Sequence, residues 1–138
     1  MMTLNEFSQK EFPQNGFTLI NNKVIDRYNE YFRDTAEVGD GATLCLWSDR
    51  EAYTIIKRTP KSLTLRRCKA TLKPDFKPEF IPGGFCAHCV NQHEQDYDYT
   101  ENENGHVIKV YWSEKFKRFR QGTMNIIPGR HEFYDYNM

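Results

Sequence analysis

The sequence predicts an α+β protein, mainly antiparallel β arranged as a meander, curled sheet or small barrel, with an N-terminal amphipathic helix. Three observations carry that reading. The C-terminal two thirds is written as short runs of Thr, Ile, Leu, Tyr, Trp and Phe that alternate with polar residues, the period of half-buried strands. Asp40-Gly41, Pro82-Gly83, Asn104-Gly105 and Pro128-Gly129 cut those runs where tight turns are needed. Ahead of them, Val24, Ile25, Tyr28, Tyr31 and Phe32 fall on one face of a 3.6-residue period.

Residues 1–20 carry Phe7, Phe12 and Phe17, but Pro13 and Asn15-Gly16 interrupt any period, so an arm with at most one short helix is expected. The amphipathic helix starts at a cap, Asn21 or Asn22, and ends near Asp34 or Thr35, with Lys23, Asp26, Arg27, Glu30 and Arg33 facing water. After the Val38-Gly39-Asp40-Gly41 turn, Ala42–Trp47 alternates as a strand, Ala52–Lys57 follows the Ser48-Asp49-Arg50 turn, and Leu63–Arg67 follows Thr59–Ser62. Residues 71–93 hold Pro74, Pro78, Pro82, Gly83 and Gly84 and read as a long functional loop ordered by Phe76, Phe80 and Phe85. Tyr97 and Tyr99 begin a strand that the Glu101–Gly105 turn folds back as a hairpin onto Val107–Trp112. Arg118–Arg120, Thr123–Ile127 and His131–Tyr136 are expected to complete the sheet.

At 138 residues the chain fits one globular domain, which buries roughly two thirds of its unfolded surface. Residues 1–36 form an arm and helix, and residues 37–138 a β-rich ligand-binding core. Nineteen basic residues balance nineteen acidic ones, so no global field draws the protein to nucleic acid or to an anionic membrane, and any anion site must be local. No leader-like or bilayer-length apolar run is present, and a cytoplasmic location is expected. The four cysteines are too few for a secreted disulfide framework in a chain of this length.

Cys86-x-x-Cys89, with Cys68 and with His88 or His93, has the residue types of a tetrahedral zinc site. The spacing supplies only half of such a motif, so the reading taken is thiols without metal, and no cofactor is expected. Lys115, Lys117, Arg118 and Arg120 interleave with Phe116 and Phe119, a pattern for pairing phosphates and stacking bases, or for guarding a strand edge. Arg58, Arg66 and Arg67 form a second basic cluster, and whether the two meet is open. Arg130 follows a Gly turn, where a guanidinium forks onto phosphate or pairs with an acid such as Glu132 or Asp135. No Walker loop, His-Glu-x-x-His helix, nucleophile elbow or dinucleotide fingerprint occurs, so binding rather than catalysis is expected.

Val38–Thr43 running into Trp47-Ser48-Asp49-Arg50, the Phe80–Gln92 loop and Gly129-Arg130-His131-Glu132-x-Tyr134-Asp135 occur in an order that resembles a family of small bacteriophage and mobile-element proteins. The pattern is similar to that of the Thoeris anti-defence sponge, and it covers roughly residues 37–138. The resemblance implies a viral immune-evasion protein, a homo-oligomer that sequesters a cyclic ADP-ribose-type or cyclic oligonucleotide signal without chemistry in the host cytoplasm. Carried over by position, Arg130 is the phosphate ligand, Arg118 a second cation and Phe119 a stacking ring. Phe85, Asn91 and Gln92 close over the base, while Trp47 and Arg50 either bind or hold the fold. Lys117 stands where the pattern calls for a small turn residue. Two other classes compete: a protein-binding inhibitor such as an anti-CRISPR, and a small β-barrel nucleic-acid-binding module.

Overall fold

The computed structural model describes residues 1–13, 20–81 and 88–137. Helix α1 spans Leu4–Glu11 and α2 spans Asn22–Thr35. Asn21 caps α2, its side-chain oxygen accepting from the Val24 amide at 3.2 Å. The apolar face buries Val24, Tyr28 and Phe32. At the other end, Arg58 donates to the carbonyls of Arg33 (2.7 Å) and Ala36, placing a cation where helical carbonyls lack partners.

Six strands close into an antiparallel barrel in the ring order β1-β10-β9-β8-β3-β2. They are β1 (Gly41–Cys45), β2 (Arg50–Thr59), β3 (Ser62–Arg67), β8 (Val107–Ser113), β9 (Arg118–Gln121) and β10 (Met124–Pro128). The α+β, mainly antiparallel class with an N-terminal helix is therefore observed, as a closed barrel. Two three-stranded meanders meet along β3–β8 and β1–β10. Alternation sends Ala42, Leu44, Tyr53, Ile55, Leu63, Leu65, Val110, Phe119 and Ile126 into the core. Phe32 of α2 covers one end of that core, edge-on to Phe119 at 5.9 Å.

Between β3 and β8 the chain leaves the barrel. It forms β4 (Lys69–Leu72), β5 (Phe80–Ile81), β6 (His88–Cys89), a 3-10 turn at Gln92–Glu94 and β7 (Tyr97–Thr100). The expected hairpin of β7 with β8 does not form: β7 pairs with β4, and β8 with β3. Side-chain complementarity decides the partner, because Leu63 and Leu65 meet Val110 and Ile108 on one face. Gly105 makes the route possible, since a Cβ there would lie 2.2 Å from the Arg67 carbonyl oxygen.

His131–Tyr136 is likewise not a sheet strand; one isolated bridge, Arg50 to Phe133, is its β pairing among the described residues. Both edges of β1 are already occupied by β2 and β10, so a closed barrel offers the tail no edge to join. The tail instead crosses the outside of β1 and β2. Lys117, the departure from the expected small residue, adopts φ 54°, the left-handed region that glycine occupies without strain. Among the described residues no helix is long and apolar enough to cross a membrane.

Candidate functional site

The tail brings the separated motifs together. Thr43 Oγ1 donates to the Gly129 carbonyl and accepts from the His131 amide, both at 2.8 Å. Glu132 accepts from the Ala52 amide at 2.8 Å and from both terminal nitrogens of Arg67 at 2.7 Å. Its own amide donates to the Tyr99 hydroxyl at 2.8 Å. Arg50 and Phe133 exchange backbone bonds, and the Asp135 amide donates to Asp49 Oδ1 at 2.8 Å. Further along, the Tyr136 amide donates to Gln92 Oε1 and the Cys89 amide to Asn137 Oδ1. Residues 129–137 thus form a strap over the β1–β2 hairpin, which explains why Thr43 and Ala52, on the outer side of the barrel, are fully buried.

Arg130 lies within this strap and packs on Gly41, where a Cβ would sit 2.6 Å from its Cγ. One terminal nitrogen, Nη2, donates to Thr54 Oγ1 at 2.9 Å and the Gly39 carbonyl at 3.2 Å, with Glu101 3.5 Å away. Its acidic neighbour is therefore Glu101, while Glu132 belongs to Arg67. Nε and Nη1 have no hydrogen-bond partner among the described residues, and the side chain is 28% exposed. The result is a partly exposed guanidinium fixed through Nη2, with Nη1 packed beside Gly41.

The remaining candidates distribute differently. Arg118 is on β9, its Nε donating to the Phe116 carbonyl at 3.0 Å. β10 lies between β9, which carries Arg118, and β1, on whose first residue Gly41 the Arg130 side chain packs, so the two cations sit on different strands of the wall and share no contact among the described residues. Phe119 presents no ring to a ligand: it is 1% exposed, because alternation along β9 turns it inward against Phe32 and Trp112. Asn91 is buried as a clamp, accepting from the Glu79 amide and donating to the Lys77 carbonyl. Gln92 holds Tyr136. Phe85, and with it the Pro82–Ala87 stretch of the loop, lies outside the described residues. Trp47, at the β1–β2 tip, is 95% exposed.

Of the basic cluster on the meander, Arg58 caps α2, Arg66 meets Glu101 at 3.4 Å and Arg67 pairs with Glu132. These roles divide the cluster among different partners rather than gathering it into one phosphate site. Burial, the largest single influence, would lower the Arg67 guanidinium pKa; the hydrogen bonds and charge of Glu132, together with the nearby Glu51 and Tyr53, outweigh it and raise the pKa. Burial also raises the Tyr53 hydroxyl, which lies 2.8 Å from His106 Nε2. Cys68 is buried against Thr54 Oγ1, Cys89 near Asn91, and His93 is exposed; Cys86 lies outside the described residues. Among the described residues no three metal-ligating side chains come together.

A groove of about 640 Å³ opens between the N-terminal segment, α2 and Ile127–His131; its walls include Met2, Ile25 and Tyr28 but neither Lys nor Arg. A second, of about 420 Å³, sets Lys73 and Lys77 against Asp75, Glu79, Glu94 and Asp96. Neither suits a pyrophosphate, because the first has no Lys or Arg in its walls and the second carries excess negative charge. Sequence reasoning missed Thr54 and Glu101, which orient Arg130 from far along the chain, and gave no role to the motif residue Tyr134, 55% exposed on the strap. Only the Gly-Arg step and the alternation of β2 hinted at them. No known protein-family model matches the chain, and no curated protein or solved structure is significantly similar to it.

Proposed function

We propose that this protein is a phage-type anti-defence sponge, which binds a cyclic nucleotide immune signal of the cyclic ADP-ribose class in the host cytoplasm and performs no chemistry on it. The half-tied Arg130 fork carries the reading. Nη2 is held by Thr54 and Gly39 while Nε and Nη1 have no hydrogen-bond partner among the described residues, so little rotamer freedom is lost when a phosphate arrives. Arg118 is the second cation, and Tyr134 or Trp47 takes the stacking role that buried Phe119 cannot. Because Arg118 and Arg130 lie on different strands and share no contact among the described residues, the proposal includes closure of the site by a second copy of the chain.

Native mass spectrometry gives the oligomer and any retained ligand; thermal shift against cyclic ADP-ribose isomers, cyclic dinucleotides and cyclic trinucleotides gives specificity. A compound at about 100 times its Kd raises Tm by several degrees and is recovered intact after heating. Arg130→Lys keeps the charge but removes the fork and its bonds to Thr54 and Gly39, so the ligand-free Tm falls somewhat and the ligand-induced shift, measured from the variant's own Tm, is expected to shrink. No shift with any compound, or an equal shift in Arg130→Lys, overturns the reading. A second reading, a protein-binding inhibitor, is favoured by Trp47, whose exposure is that of an unoccupied interface anchor. On that reading no nucleotide produces a shift, and Trp47→Ala abolishes inhibition.

A further inference from the structure

The outer face of β8 and β9 carries chemistry that the Arg130 strap does not use. Alternation turns Val107, Lys109 and Tyr111 outward while Ile108, Val110 and Trp112 face the core. Arg120 lies directly across from Tyr111 in the β8–β9 register. Tyr111 is 58% exposed, and Phe116, in the turn between the strands, is 45% exposed. Lys109 Nζ stands 5.4 Å from the Tyr111 ring, Arg120 Cζ 4.0 Å from the Phe116 ring, and Lys115 Nζ 5.4 Å from Phe116. The outward row continues across β3 and β2 through Thr64 and Lys57, each register partner of the next. The carboxylate in the turn, Glu114, is committed to Lys117 at 2.9 Å and to the Trp112 indole at 2.6 Å. It does not neutralise Arg120, whose terminal nitrogen donates to the Thr123 carbonyl instead.

A neutral chain that concentrates Lys57, Lys109, Lys115 and Arg120 on one face, each ring flanked by a cation, is complementary to a polyanion that also carries flat apolar groups. We propose that this face binds single-stranded nucleic acid, with bases stacking on Tyr111 and Phe116 and phosphates pairing with Lys109, Lys115 and Arg120. Every base has a π-face, so two rings serve any sequence, and an open strand surface accepts a linear polymer along its length. This activity is separate from the sponge, and neither ring belongs to the Arg130 site.

The test is fluorescence anisotropy of the full chain with a labelled twelve-nucleotide oligo(dT) and its RNA counterpart, from 50 to 300 mM KCl. Saturable binding is expected, with log K falling against log[salt] at a slope of about −2 for three phosphate contacts in a single strand. Tyr111→Ala and Phe116→Ala should each weaken binding about tenfold at unchanged slope, while Lys109→Gln makes the slope shallower by about 0.7. Unchanged ligand-free Tm verifies that these exposed-site variants fold. Absence of saturable binding at 50 mM KCl overturns the proposal. So does a result in which heparin, a polyanion without bases, displaces the oligonucleotide while both ring variants bind like the parent, because charge alone then explains the affinity.

Discussion

Glu132 shows how one side chain ties three parts of the molecule: it accepts from Ala52 of β2 and from Arg67 of β3 while sitting on the strap. The pair is largely shielded, at 20% and 14% side-chain exposure, so truncating one partner strands the other's charge. Glu132→Gln is expected to destabilise by about 2–3 kcal/mol, read as a lower midpoint in chemical denaturation; a loss under 0.5 would mean that the pair is solvated. Gly41 is required by proximity. In Gly41→Ala the new methyl would lie 2.6 Å from Arg130 Cγ, so the guanidinium must leave Thr54, and the mutant should lose both stability and nucleotide shift together. At Lys117 the effect runs the other way. Lys117→Gly relieves a left-handed φ at about 1 kcal/mol and gives up only an exposed pair with Glu114, so Tm should rise slightly.

α2 works as an end cap for the barrel, because its Phe32 and Ala36 enter the same core as the strands. Phe32→Ala should cost about 3–5 kcal/mol by opening a cavity against Phe119, far more than the same change at an exposed helix position. The helix was readable in advance, since a 3.6-residue stripe and an Asn cap are local signals. The strap was not. Its residues Phe133, Tyr134 and Tyr136 have strand-forming character, and only the absence of a free barrel edge keeps them out of the sheet. For the same reason the Asn104-Gly105 turn looked like a hairpin, whereas the apolar register of β3 captured β8.

Closure makes the whole molecule depend on its tail, since the outer sides of Thr43, Ala52 and Thr54 are covered by residues 129–137 or by what they hold. Removing residues 129–138 should therefore lower Tm sharply, and a truncated chain as stable as the parent would mean that the strap is incidental. Five of the eight tyrosines share one electrostatic signature: burial raises the hydroxyls of Tyr28, Tyr53, Tyr97, Tyr99 and Tyr136, with Tyr97 pushed up to about 12. The fold favours the neutral phenol, so this contribution is complete below pH 10 and is lost as pH climbs toward 12. Tyrosinate absorbance should show a late group, from these five rings, that titrates together with unfolding. A single transition near pH 10 would show the rings to be solvated.

Local patterns in the sequence determined the helix, its cap, the first meander and the antiparallel class, because each depends on residues close together in the chain. They also singled out Arg130 as a ligand candidate from its place after a Gly turn. Tertiary structure alone decided that Phe119 faces the core, that Asn91 and Gln92 clamp their own loops, and that Arg130 is steadied by Thr54 and Glu101. The physical reason is barrel closure: once the last strand joins the first, inward and outward are fixed for every strand at once, and no short window of sequence contains that constraint.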